Sequence, residues 1–256
     1  VIMDWSKTNW TKEDIEFSPK RQVNNRRSKF MHHNIGWLYS PKMKREVGYE
    51  SLWGECLFYY FLELDPLTVR YYEQPVNILM KFLNQDYLLD VWNHVPDVLV
   101  FRQGDKPHLF QVKGTSKQDK QKFHQTSLES QRYASIRNWN YSVVYPKDVP
   151  EEIKSNILFL WNYIKPRRNY EIMIPEILNK LQHFEEKSII ELAKGFTAKI
   201  DYRFILPAIY HLICTGQVKT DLKCNITEQS LVRVGSVSIE IFQLFEVEGH
   251  QWRLLD

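Results

Sequence analysis

Apolar and polar positions alternate over Gly36–Ser40 (GWLYS) and over REVGYE from Arg45, with the polar PKMK between them. That pattern predicts a strand, a turn and a second strand. Ser51–Leu64, SLWGECLFYYFLEL, is too long and too continuously apolar for a strand. With Ser51 as N-cap and Asp65-Pro66 as the stop, it predicts a helix. TVRYYEQPVNILMKFL and DYLLDVWNH return to alternating, aromatic and β-branched strand material, and VLVF and HLFQVK add two strands joined by the turn Arg102-Gln103-Gly104-Asp105. In Ser116–Asn138, Phe123, Leu128, Tyr133 and Ile136 recur at roughly helical intervals; YSVVY is a strand and Glu151–Ile164 a helix. The order is that of an α/β domain with a mixed sheet flanked by helices.

Residues 1–30 are polar and weakly periodic and read as a basic, polar N-terminal arm with one short helix. Residues 31–168 hold the α/β pattern, closed by the linker Lys165–Asn169. Beyond it EIMIPEILNKLQHF, KSIIELAKG and RFILPAIYHLICTG read as helices, with Gly195 and Gly216 where helices end. VKTDLKCNITEQSLVRVG then supplies two short extended pieces. Three helices and a small hairpin make residues 169–256 a winged-helix-like domain.

A chain of 256 residues with 43% apolar and 25% charged residues is an ordinary globular composition. No apolar run approaches the ~20 residues of a membrane span, and the opening residues lack the apolar core of a signal peptide. Cys56, Cys214 and Cys224 are odd in number and scattered, with neither zinc nor disulfide spacing, which points to a reducing cytoplasm. Charge is uneven. Lys20–Arg45 contains Lys20, Arg21, Arg26, Arg27, Lys29, Lys42, Lys44 and Arg45 with no acid, interleaved with Phe30, His32, His33, Trp37 and Tyr39. A second basic run is Lys113, Lys117, Lys120 and Lys122. Both suit a polyanion such as nucleic acid. Residues 166–256 hold 11 basic against 12 acidic residues and do not share this bias.

The chemistry concentrates in VPDVLVFRQGDKPHLFQVKG, Val95–Gly114. Gln111 and Lys113 are two apart and so share a face of the sheet. With Asp97 opening the adjacent strand, a carboxylate and an amide oxygen meet in one small space. Such hard oxygens, with the Val112 carbonyl, suit a magnesium ion, and Lys113 beside them suits charge developing on a phosphate. Glu55, among Trp53, Leu57, Phe58 and Phe61, is the candidate second carboxylate, since an acid in that setting needs a partner. Each residue alone has an ordinary structural reading: an exposed helix glutamate, a strand-capping aspartate, a solvated lysine. His94 in WNHVPD reads as a turn histidine near the same place. Cys56 has no histidine at an evident spacing, and no HExxH-type zinc signature occurs.

A helix glutamate, a Pro-Asp opening a strand and a polar pair ending in lysine form the organisation of PD-(D/E)xK nucleases. Within that group the chain resembles the TnsA family, the endonuclease subunits of heteromeric cut-and-paste transposases. The resemblance spans about residues 36–164, on GECLFYYFLELDP, YYEQP, VPDVLVF and above all FQVKG, where Gln111 stands in the position that most PD-(D/E)xK enzymes give to an acid. It implies Glu55, Asp97, Gln111 and Val112 as ligands of Mg2+ (Mn2+ substituting), and Lys113 as the catalytic lysine. It further implies double-stranded DNA at transposon ends as substrate, and a bacterial cytoplasmic setting. The implied partners are a DDE transposase subunit, TnsB, and an AAA+ ATPase regulator, TnsC, docking on the C-terminal domain. The helix after QVK departs from the family: Glu129 is its nearest acid and Ser130 its alternative. Two other functions fit the same residues: a stand-alone restriction or repair endonuclease, and a catalytically silent scaffold bridging transposition proteins and DNA.

Overall fold

The elements of the computed structural model, which describes residues 7–21, 23, 35–83, 89–114, 120–196, 200–250 and 252, begin with a short helix α1 (Thr11–Glu16) and the hairpin β1 (Gly36–Ser40) and β2 (Arg45–Tyr49). A π-helical turn, Leu52–Cys56, runs directly into α2 (Leu57–Leu64). Strand β3 (Thr68–Glu73), the hairpin β4 (Ile78–Leu83) and β5 (Leu89–His94), and strands β6 (Val98–Arg102) and β7 (His108–Val112) follow. Helix α3 (Lys120–Ile136), strand β8 (Asn140–Pro146) and helix α4 (Glu151–Trp161) complete the first part. The second part contains α5 (Tyr170–Phe184), β9 (Lys187–Ser188), α6 (Ile189–Lys194), a 3-10 turn Tyr202–Phe204, α7 (Leu206–Cys214), β10 (Val218–Lys219), β11 (Leu231–Val234), α8 (Ser238–Phe242) and β12 (Phe245–Gly249). Among the described residues no helix is long and apolar enough to cross a membrane.

The central sheet has the order β12-β8-β7-β6-β3. Strands β7 and β8 are parallel and every other pair in it is antiparallel, so the expected mixed sheet is present. Its two faces follow from the period-2 alternation of side chains. On one face α2 packs, with Phe58 5.1 Å from Phe110 and Tyr59 stacked on Tyr71 at 5.5 Å. On the other, Trp10 lies edge-on to Phe101 and Phe17 packs on Phe101, Tyr72 and Trp139. Trp10 and Phe17 flank α1 and are both buried, so this part of the expected arm is built into the core. Two aromatics in a polar stretch supply enough apolar area to hold one helical turn that has little stability alone.

The far end of α2 is held by buried charge. Arg102 Nε donates to Asp65 Oδ2 (2.9 Å), Thr68 donates to the same oxygen, and Lys42 Nζ caps the carbonyls of Leu62 and Asp65. Two features differ from the sequence reading. The predicted helix begins as a π turn, and Ser51 makes no side-chain cap bond. Strand β12 leaves the C-terminal region and pairs with β8 over five residues, Phe245 opposite Pro146 to Gly249 opposite Ser142. Phe245 then meets Phe58 at 5.5 Å, and Phe242 meets Phe61 at 4.8 Å. Residues 245–249 are thus part of the central sheet, because closing its edge and covering α2 buries Phe245. The second part also meets α2 through Ser236 Oγ, which donates to the Leu64 carbonyl (2.7 Å). Gly216 approaches that carbonyl so closely, at φ +69°, that a Cβ there would lie 2.3 Å from the oxygen.

Candidate active site

The β6–β7 register pairs Val98 with Phe110 and so sets Asp97 beside Gln111 at the strand ends. Asp97 Oδ2 accepts from the Gln111 side-chain amide and from the Val112 N–H (2.6 Å). The Asp97 backbone is fixed as well, its N–H donating to Phe110 and its carbonyl accepting from Gln74. Lys113 follows, anchored by its N–H to the Val144 carbonyl (2.9 Å). Asp97, Gln111 and Val112 are buried, whereas Lys113 is half-exposed and makes no ion pair among the described residues. Its ammonium lies 5.7 Å from the centre of the Phe123 ring on α3.

Glu55 enters from the π turn at the start of α2 and is only 7% exposed. Such turns recur where a side chain must be aimed at a site. Its Oε2 accepts the Glu50 N–H at 2.8 Å. Burial, and next the charge of Asp97, push the Glu55 carboxyl up to about 8. Burial likewise raises Asp97 to about 6, against the pull of Lys113 and the Val112 N–H. Two carboxyls that resist ionisation together mark a place short of positive charge. His94, at the end of β5, is held neutral with its pKa lowered to about 4, by burial and then by Lys113. Among the described residues, His94 Nε2 and Gln111 Oε1 are buried without a hydrogen bond of normal geometry, although the Gln111 side chain lies near enough to favour the charged form of His94.

Glu55, Asp97, Gln111, Val112 and Lys113 are therefore brought to one end of the sheet. Among the described residues no group of three or more His, Cys, Asp and Glu side chains is arranged to hold a metal. The oxygens available here are of another composition: two carboxylates, the unpartnered Gln111 Oε1 and a backbone carbonyl. That hard, all-oxygen set fits magnesium, which keeps several waters of its own. Cys56 is buried and its thiol is pushed well up by burial and then Glu55, the wrong direction for a nucleophile.

On α3, Ser130 is fully buried and Glu129 is partly exposed. The Tyr141 hydroxyl, which burial raises to about 12 and which also feels the charge of Asp97, is buried without a hydrogen-bond partner among the described residues, as are the hydroxyls of Ser127 and Ser130. Serine, not glutamate, thus faces the sheet. Three residues at the site lay outside the candidate set. Arg21 pairs with Glu50 (2.6 Å), and its charge favours ionisation of Glu55 and Asp97. Gln74, in the left-handed region at φ 47°, donates its N–H to the Asp97 carbonyl, and its amide can bond both the Arg21 carbonyl and guanidinium. The YYEQP motif and the acid-free run were the signals for Gln74 and Arg21; Glu50 had none. Glu73 is held by a two-bond fork from Arg45, each 2.6 Å. Arg26, Arg27, Lys29, Phe30, His32, His33 and Lys117 lie outside the described residues, as do the side chains of Lys120 and Lys122. No protein-family model matches this chain, and no curated protein matches it significantly.

Proposed function

We propose that the chain is a magnesium-dependent DNA endonuclease of the TnsA kind, cutting at the 5′ ends of a transposable element. The observation that carries this reading is the buried Asp97–Gln111 pair with Glu55 beside it, two carboxyls pushed upward, an unpartnered amide oxygen and a lysine one position on. Glu55, Asp97, Gln111 Oε1 and the Val112 carbonyl are the oxygens that would hold Mg2+, or Mn2+ in its place. A bound ion would supply Lewis acidity at the scissile phosphate. Lys113 orients the attacking water and meets the negative charge that grows on the phosphate oxygens, its ammonium steadied over Phe123. Val112 N–H and the Gln111 amide fix the Asp97 carboxylate, so little reorganisation is needed as charge develops.

The element order helix, strand, helix, helix, strand, strand over residues 170–234, with sheet order β10-β11-β9, supports a winged-helix-like domain. Its third helix, α7, is buried from Ala208 to Cys214 and bonded to the α4 region through His211 Nδ1 and the Tyr163 carbonyl (2.7 Å). A helix so covered has no face to offer a DNA groove. The domain therefore serves protein partners, an AAA+ regulator of the TnsC kind, while a DDE transposase of the TnsB kind selects the DNA ends.

The test is strand-specific cleavage of an end-labelled duplex carrying the element terminus, with magnesium and the cognate transposase, with and without this protein. A new cut near the 5′ end that disappears with Lys113→Ala is the expected result. An intact strand with folded wild-type protein and all partners present would hand the reading to a silent scaffold; cutting of unrelated DNA by the protein alone would favour a stand-alone nuclease.

A further inference from the structure

A groove of about 360 Å³ lies beside the β1–β2 hairpin, lined by Arg21, Val23, Trp37, Glu46, Gly48 and Glu73. Its size falls within the ~300–1,000 Å³ of small-ligand sites. Trp37 stands opposite Gly48 in the hairpin register and remains 61% exposed. Gly48 keeps the floor flat: a Cβ there would meet Val23 Cγ2 at 2.7 Å and approach Trp37 Nε1 at 3.6 Å. Both arginines around the groove are paired with carboxylates. Glu73 is neutralised by the Arg45 fork, Arg21 is held by Glu50, and Glu46 remains as an exposed acceptor at the rim.

Arg21 joins this groove to the acid cluster. It lines the groove, pairs with Glu50, and Glu50 in turn gives its N–H to Glu55. Because Glu50 bonds both Arg21 and Glu55, the groove and the acid cluster are neighbours, on the path of a nucleic-acid chain whose phosphate sits at the cluster. An exposed indole is a sequence-tolerant platform for a base, and an arginine that gives up a surface carboxylate is a phosphate ligand. Duplex stacking hides base faces, so an indole can stack only on a base that has left the helix.

We infer that this groove is a nucleotide subsite, in which Trp37 stacks on an unpaired base of DNA flanking the scissile phosphate and Arg21 exchanges Glu50 for the neighbouring phosphate. The inference rests on the nuclease reading and deepens it. Glu46 at the rim favours a base edge that presents an amino donor.

The experiment places 2-aminopurine at successive positions around the terminus in single-stranded and duplex oligonucleotides and titrates the full chain, with calcium replacing magnesium. At one position wild type and Trp37→Phe should quench the fluorescence, and Trp37→Leu should not. Trp37→Leu should also bind that oligonucleotide about five- to one-hundred-fold more weakly. Arg21→Gln should lower the slope of log affinity against log salt by about 0.7–0.9. Should Trp37→Leu fail to fold, the salt slope of Arg21→Gln decides alone, and an unchanged slope overturns the subsite. DNA that is bound and cut while no position responds to Trp37→Leu also overturns it. Lys113→Ala separates the two readings: it should abolish cutting and keep the quench. Quenching that depends on Trp37 in a protein that never cuts would retain the subsite and remove the nuclease.

Discussion

Replacing Glu55 by Gln should make the cation-free protein more stable at pH 8. Glu55 is 7% exposed, and its carboxyl is raised from an ordinary 4.5 to about 8 by burial and by the charge of Asp97. Between those values the folded state keeps a proton that the unfolded chain has lost. The folded state then binds more protons, so the stability from this group is full below pH 4.5 and is lost as pH rises through 8. Other groups confine the useful window. His94, lowered to about 4, is neutral in both states above its unfolded value of 6.5, and Lys42, lowered to about 8, acts in the opposite sense above that value. From pH 6.5 to 8 Glu55 dominates. One pH unit is worth about 1.4 kcal/mol per proton, so wild type should lose up to about 2 kcal/mol relative to Glu55→Gln across the window. The variant keeps an oxygen for the Glu50 N–H, so its other interactions survive. Urea unfolding in EDTA at pH 6.5, 7.25 and 8 measures the difference. Adding magnesium at pH 8 should then stabilise wild type and leave Glu55→Gln nearly unaffected. If the two proteins track each other from pH 6.5 to 8 in EDTA, Glu55 carries no proton there, and the reasoning about a charge-starved cluster fails.

Two further substitutions test how the helix bearing Glu55 is held. Arg102→Leu leaves Asp65 buried without its charged partner and should cost about 3–5 kcal/mol in urea unfolding; Arg102 and Asp65 replaced together should cost less than the single change. Phe245→Ala removes the ring that joins β12 to Phe58, and should cost about 3–5 kcal/mol while increasing protease sensitivity of the chain beyond residue 236.

The strands around the site were legible because their alternation is strong and local. VLVF and HLFQVK are joined by a short turn, so pairing them fixes Asp97 beside Gln111 without knowledge of the rest of the fold. The π turn under Glu55 was not legible, since over five residues an apolar run looks the same at either helical pitch. Strand β12 was missed for a different reason. FEVEG alternates, yet its partner β8 lies a hundred residues earlier, and the gain comes from Phe245 reaching Phe58, a contact that no local pattern encodes. The same holds for Arg21 and Glu50, which read as solvated charges until a separation of 29 residues closes to 2.6 Å.

That a glutamine rather than an acid follows Phe110 is explicable from the charges already present. Glu50 and Asp97 act on Glu55, Glu50 acts on Asp97, and the two buried carboxyls are raised, so a further carboxylate at position 111 would raise them again and weaken the folded state without a cation. An amide adds no charge. It also has two ends with separate uses: the nitrogen donates to Asp97 Oδ2, which a carboxylate could not do, and the oxygen is left buried and unpartnered. A carboxylate would bring stronger cation binding with greater repulsion; the amide brings an aligned Asp97 and one weaker ligand. On this argument Gln111→Glu should fold less stably in EDTA, yet gain more stability than wild type when magnesium is added. Equal responses to magnesium would mean that the Gln111 oxygen does not face the cation.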